Sequence, residues 1–333
     1  HPVSSGNTVS DHSPEAKAHG MSVEASVASI DFMGDSLTFI DCPGSDEFAF
    51  EAEPVLAACD IAVVVAEADE TKIPALQLIM RKLDDLGVPR ILFLNKIDKT
   101  AAGVRDTLKM LQPASVAPLL LRQIPLRKDG QTVRSIDLAL ERAYIWREFA
   151  ESEIPEIPGD DKAREIEARF SMLETLADHD DLLMEQLLEE QEPPRDEVFD
   201  DLAADLRDGS VIPVMIGTAE KGNGVLRLLK AIRHDAPDAA MTRKRLGLAG
   251  IHNTLPLTYD KFARRGTAVF GTEPSYVQAI CTPQEAMAGL VTRDSEPVRD
   301  RFAPLAGWGL SRSAPAAMTP IRTSSLPDHL KNL

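Results

Sequence analysis

The sequence predicts an α/β protein built on a mostly parallel sheet with helices on both faces. Three observations carry that expectation. Short runs of β-branched and aliphatic residues, Ile61–Ala66 and residues 91–94 and 211–216, are apolar at every position, as strands buried on both faces are. Amphipathic helical patterns fall between and after these runs, and an alternation of buried strand and helix points to parallel pairing. Between the second and third runs lies a stretch of about 95 residues with a different rhythm, which reads as an α+β insert.

Taken in order, residues 1–20 are polar, rich in Ser, Gly and His, and read as loop. Alternating residues 22–32 and 36–41, with Gly34-Asp35 between them, predict a hairpin. A helix is expected over 46–58, a strand at Ile61–Ala66 and an amphipathic helix over 73–86, stopped by Gly87 and Pro89. A strand at 91–94 and a helix over 103–111 follow. Around Pro113 the pattern changes. Residues 116–127 hold strand-like runs, Lys128-Asp129-Gly130-Gln131 is a hairpin-type turn, and 133–146 suits two more strands. Long polar helices are expected over 161–190 and 195–208, separated by Pro193-Pro194. Residues 211–216 resume the buried-strand pattern and 225–233 form a helix.

The domain reading is a first domain over 1–112, an inserted α+β subdomain over 113–208, the first domain continued over 209–245, and an irregular tail over 246–333. After about Gly250 sustained periodicity vanishes, and the tail reads as a divergent segment or, preferably, a shifted reading frame. Because the chain starts at His1, it is expected to begin inside a longer gene.

The net charge of −17 has an address. Residues 148–208 hold 22 acidic and 5 basic side chains, whereas the remaining 272 residues hold 31 of each sign. The bulk charge argues against a generic nucleic-acid coat and against a basic membrane-surface patch, both of which need clustered Lys and Arg. No apolar run approaches the ~18 residues of a membrane span. The three cysteines, Cys42, Cys59 and Cys281, are far apart and odd in number, so they fit a reducing cytoplasm better than a disulfide framework.

Three segments follow predicted strands and so fall on the carboxyl edge of the sheet, where open α/β folds bind ligands. They are Asp41-Cys42-Pro43-Gly44, Asn95-Lys96-Ile97-Asp98 and Gly217-Thr218-Ala219. Each has a reading for a guanine nucleotide. Asp41 can hold Mg²⁺ through water, since that hard cation keeps part of its hydration shell. Gly44 lets a backbone N–H approach a terminal phosphate with no Cβ in the way. Asp98 can accept two hydrogen bonds from N1–H and the exocyclic amine of guanine, a donor pair that adenine lacks. The Lys96 stem can lie over the base, and the Ala219 N–H can face the base carbonyl. A lone Asp-x-Pro-Gly is most often a turn; it is the order of all three segments, each after a buried strand, that makes the nucleotide reading specific.

These segments resemble the GTP-binding domain of translational GTPases, specifically elongation factor G and its paralogues. The family's Arg-Gly-Ile-Thr at the end of switch I is similar to His19-Gly20-Met21-Ser22, and its Asp-Thr-Pro-Gly-His to Asp41-Cys42-Pro43-Gly44-Ser45. Asn95–Asp98 match its Asn-Lys-Met/Ile-Asp, and residues 217–225 match its Gly-Ser-Ala followed by a lysine and a Gly-Val helix start. Residues 123–146 resemble the strands that open the family's extra subdomain. The resemblance, over about residues 5–245, implies a P-loop-NTPase-like fold, GTP or GDP as ligand, Mg²⁺ held by Ser22 and Asp41, and GTP hydrolysis tied to a ribosomal step. The implied partners are the ribosome and, through the insert, its stalk protein; no membrane or DNA partner is expected.

The departures are also specific. No Gly-Lys pair occurs anywhere in the chain, so the family's phosphate loop is expected upstream of His1, and GTP affinity of this polypeptide is expected to be low. Ser45 stands where the family's histidine orients the attacking water, and its short hydroxyl cannot simply take over that role. Ser22 replaces the Mg²⁺-binding Thr but keeps the hydroxyl. A non-hydrolysing ribosome-binding paralogue and a truncated, non-functional product therefore stay open as alternatives. His179 lies among Asp178, Asp180 and Asp181, where a solvated helix face is a simpler reading than a metal cluster.

Overall fold

The computed structural model describes residue 8, residue 10 and residues 13–247, apart from 101, 129, 130, 149–151 and 158, together with strand residues 265–271 and 276–279. In chain order the elements of the first half are α1 (Pro14–His19), β1 (Ser26–Phe32), β2 (Asp35–Pro43), α2 (Ala49–Ala58), β3 (Ile61–Ala66), α3 (Ile73–Asp85), β4 (Arg90–Leu94), α4 (Val104–Leu111) and β5 (Leu119–Leu121). The insert contributes β6 (Gln123–Lys128), β7 (Gln131–Asp137), β8 (Arg142–Ile145), α5 (Gly159–Ala177), α6 (Asp181–Leu188) and α7 (Arg195–Asp208). The chain returns with β9 (Ile212–Ile216), α8 (Val225–Asp235), α9 (Ala239–Arg245), β10 (Arg265–Gly271) and β11 (Tyr276–Ala279).

The frame is an eight-stranded sheet in the order β1-β2-β10-β11-β3-β4-β9-β5. Strands β3, β4, β9 and β5 pair in parallel, β10 is parallel to both β2 and β3, and β1 and β11 are the antiparallel members. The apolar runs sort as strand geometry demands, with alternate side chains on opposite faces. Ala62, Val64, Leu92, Leu94, Val214 and Ile216 join Leu56, Leu76, Met80, Leu83 and Leu111 from α2, α3 and α4 in one core. Ile61, Val63, Ile91, Phe93 and Met215 join Leu228 and Ile232 from α8 on the other face. The expected fold class, a mostly parallel sheet with helices on both faces interrupted by an α+β insert, is the observed one.

In the insert, β6, β7 and β8 form a three-stranded antiparallel meander beside α5, α6 and α7. It shares the larger core, which runs without a break through Ile124, Ile136, Leu138, Met172, Leu176, Val198 and Leu202. Two ion pairs, each with an aspartate carboxylate at 1% exposure or less, stitch it to α8. Arg122 Nη1 lies 2.5 Å from Asp235, and Arg227 Nη2 lies 2.6 Å from Asp137.

Several expectations are corrected. Residues 14–19, expected as loop, are helix α1: Ser13 Oγ caps it by accepting from Ala16 N, Pro14 starts it, and Gly20 ends it in the left-handed region at φ 65°. The hairpin turn falls on Met33-Gly34, both at positive φ, and Asp35 already belongs to β2. The helix expected over 161–190 is two helices, because the Asp180 carboxylate caps α6 by accepting from Leu182 N and Leu183 N. The sequence pattern starts the insert at 113, but Leu119–Leu121 pairs with β9 and belongs to the large sheet, so the insert starts at Arg122. Helix α9 has no counterpart among the expected elements. Within the range read as irregular tail, Arg265–Gly271 and Tyr276–Ala279 are strands; its remaining residues beyond 247, like turn residues Asp129 and Gly130, lie outside the described residues. Among the described residues no helix is long and apolar enough to cross a membrane.

Candidate functional site

Strands β2, β3, β4 and β9 run in one direction, so their carboxyl ends share one edge. Asp41–Gly44, Glu67, Asn95–Asp98 and Gly217–Ala219 all stand there. The edge has two parts, the end of β2 and the ends of β4 and β9, with β10, β11 and β3 between them in the sheet.

The part built from β4 and β9 is closed by hydrogen bonds. Gly217 N donates to Leu94 O at 3.0 Å and Ile97 N to Gly217 O at 3.2 Å, which clamps the two loops together. Asn95, 8% exposed, accepts from Ala219 N at 2.9 Å through Oδ1. The Ala219 N–H expected to face a base carbonyl is thus engaged in loop-to-loop locking. Asp98 is held on both oxygens: the Thr218 hydroxyl donates to Oδ1 at 3.0 Å and Lys221 Nζ to Oδ2 at 2.9 Å. Burial would raise the Asp98 pKa, yet the Lys221 and Thr218 hydrogen bonds outweigh it and hold the carboxyl below the usual range. Lys96 has a left-handed backbone, φ 56°, and its ammonium pairs with Glu67 at the end of β3. Glu67 also takes Lys72 at 3.0 Å; burial works against its charge, but the two lysines keep its pKa low.

Glycine is required here at two positions. A Cβ on Gly217 would stand 2.3 Å from Phe93 Cζ and 2.5 Å from Asn223 O. Gly224 has φ 83°, and a Cβ there would meet Ile216 O at 2.3 Å. The turn 218–223 is closed by Thr218 N to Asn223 O and Asn223 N to Thr218 O, 3.0 and 3.1 Å.

The other part is the end of β2. Asp41 is 3% exposed and Cys42 fully buried as a small filler, while Gly44 and Ser45 are half-buried. The Ser45 carbonyl accepts from Phe48 N at 3.0 Å, starting the turn into α2. The His19–Ser22 segment approaches this turn: the His19 and Phe48 rings meet edge-on with centroids 6.4 Å apart. Ser22 is 4% exposed. A buried hydroxyl and a buried carboxylate are the hard oxygen donors that Mg²⁺ takes, so the residue types fit that ion. His179 is bound 3.0 Å from Asp205 in the insert, and among the described residues no cluster of three or more His, Cys, Asp or Glu could hold a metal.

Residues 2–238 match the protein family described as the elongation factor Tu GTP binding domain. The chain belongs to the translational GTPases, of the elongation factor G-like type. It is 41% identical over 247 residues to an elongation factor G-like protein of Synechocystis, covering 74% of this chain and 37% of that protein. It is 30% identical over 265 residues to elongation factor G 2 of Syntrophus aciditrophicus, covering 79% and 38%. A crystal structure from Thermus thermophilus superposes with a TM-score of 0.64 at 28% identity, over 71% of this chain and 36% of that one. The chain thus spans a little over a third of the curated relatives it matches. Within this translational GTPase domain, Glu67 lies outside the three motifs, and Lys221 enters the sequence reading only as part of a family pattern. The available signal is the lysine-rich setting of both loops, Lys72, Lys96, Lys99 and Lys221, which calls for acidic partners.

Proposed function

We propose that this domain binds GTP and GDP along the carboxyl edge of its sheet. Asp98 receives the two donors of guanine, Lys96 covers the base plane, and Asn95, Gly217, Thr218 and Ala219 keep the two base loops in register. Asp41 and Gly44 face the terminal phosphate, and Ser22 and Asp41 would supply the oxygen donors that hold Mg²⁺. The ion would neutralise developing phosphate charge, while the chain's own residues bind and orient. The observation that carries the reading is the Asp98 carboxylate, held charged by one donor on each oxygen between two interlocked loops. In the working protein, hydrolysis is coupled to translocation or a related step on the ribosome, and the insert is a docking face for the ribosomal stalk protein.

A second reading, a non-hydrolysing ribosome-binding paralogue, is favoured by Ser45 at the position of the family's catalytic histidine. GTP turnover measured with and without ribosomes separates the two. Ribosome-stimulated turnover supports the first, and ribosome association without turnover supports the second. Ser45→His is expected to raise any turnover without changing GDP binding. No change in turnover would show that Ser45 does not limit hydrolysis.

A further inference from the structure

We propose that Lys221 is a positioning residue for base recognition: it fixes the plane of the Asp98 carboxylate so that guanine is distinguished from bases lacking its exocyclic amine. This rests on the nucleotide reading above and adds a specificity determinant to it. The argument is a count of lone pairs. An ionised carboxylate offers about four acceptor sites, two on each oxygen. Of the side-chain donors, Thr218 uses one site on Oδ1 and Lys221 one on Oδ2, with a lesser contribution from the Asp98 backbone N–H, so neither oxygen is filled by its side-chain partner. Two parallel acceptors are what a ligand with two adjacent N–H donors requires. With Thr218 alone, the carboxylate is held at one oxygen and can rotate about its last bond, and the second acceptor loses its aim.

Lys221 is suited to the task by its place. It sits in the short turn Ala219–Lys221, closed by Gly222 in the left-handed region, and that turn is locked to the Asn95 loop through Ala219. The other charges nearby are accounted for. Glu220, next to Lys221, is drawn to Lys99 at 3.2 Å, Lys96 is turned to Glu67, and Glu148 of the insert adds a more distant negative field at Lys221. Base recognition through Asp98 needs the carboxylate. The Asp98 pKa is lowered in the folded protein, so recognition is present above that pKa and lost as pH falls through it. Removing Lys221 returns the pKa upward, and the loss then begins at a higher pH.

The test is binding of GDP and of inosine diphosphate, which lacks the exocyclic amine, to the full chain and to the variants Lys221→Met, Lys221→Arg and Asp98→Asn across pH. Lys221→Met is expected to weaken GDP about tenfold, to bring the GDP-to-inosine-diphosphate ratio toward one and to move the acid edge of binding up. Lys221→Arg is expected to restore the ratio and the edge. If Lys221→Met leaves the ratio and the acid edge where they were, whether or not both nucleotides weaken together, Lys221 does not position Asp98. If the wild-type chain shows no preference for GDP over inosine diphosphate, or if Asp98→Asn discriminates as the wild type does, the base-site reading itself fails, and with it this inference.

Discussion

The carboxyl edge of the large sheet and the acidic insert use the same charged side chains to opposite effect. At the edge, two acids meet cations or donors: Asp98 meets Lys221 and Thr218, and Glu67 meets Lys96 and Lys72. Both acids are held below their ordinary pKa. Around α7 of the insert, acid meets acid. Asp201 is partly buried and sees Asp180, Asp205 and Glu197, and burial followed by these neighbours pushes its pKa up to about 6. Asp205 is raised as well, mainly by burial, despite its contact with His179. Sequence charge alone therefore says little about a site; what matters is whether each charge has been given a counterpart.

The largest expected effect lies where the two regions join. Arg122→Met strips the Asp235 carboxylate, 1% exposed, of its arginine and leaves it with His234 Nδ1 at 2.9 Å. Urea unfolding should show a loss of about 3–5 kcal/mol. A loss under about 1 kcal/mol would mean that the insert is not held through this pair. Next comes packing at the edge. Gly217→Ala drives a Cβ into Phe93 and Asn223 O and should cost about 2–3 kcal/mol, whereas Gly159→Ala, in the insert with nothing within 4 Å, should be close to neutral. Equal costs would remove the contrast between a close-packed edge and a solvated insert.

The electrostatic contrast makes a signed prediction of smaller size. Because the Asp201 pKa is raised on folding, its carboxylate destabilises the fold above about pH 6, and that cost fades as pH falls toward about 4. Asp201→Asn should stabilise the protein at neutral pH by about 1 kcal/mol, a figure discounted for partial exposure. The gain should vanish near about pH 4; thermal melts at both values check the sign. The smallest effect is expected at Glu67. Glu67→Gln removes the carboxylate that Lys96 and Lys72 share and should weaken GDP binding by about twofold to fivefold with little change in unfolding, measurable by calorimetry.

Legibility follows the strength of local pattern. Ile61–Ala66 is readable to the residue because an unbroken β-branched run admits few other structures. Residues 119–121 read as insert because three leucines carry no periodicity; only parallel pairing with Ile212–Val214 reveals their sheet. Asp180 reads as part of an acidic helix face, although a short acid beside an apolar run is also a cap. Helix α1 carries its own start and stop in Ser13, Pro14 and Gly20, and is hidden only by its polar composition. At the candidate site, the motif residues are legible as motifs, while their partners are not. Lys221 lies 123 positions from Asp98, and Glu67 lies on another strand; proximity of that kind is a product of the fold.

The pairing of β5 with β9 has a topological consequence. Two adjacent parallel strands must be joined by a crossover, and a single helix of a dozen or so residues suffices for that. Here the chain departs at Arg122 and returns at Val211, so the entire insert is, in connectivity, one crossover that has grown. It leaves at the carboxyl end of one strand and returns at the amino end of its neighbour, and material can be added or removed between them without re-threading the sheet. A shortened version, with a plain helix bridging β5 and β9, is the natural scaffold on which to ask what the added surface contributes.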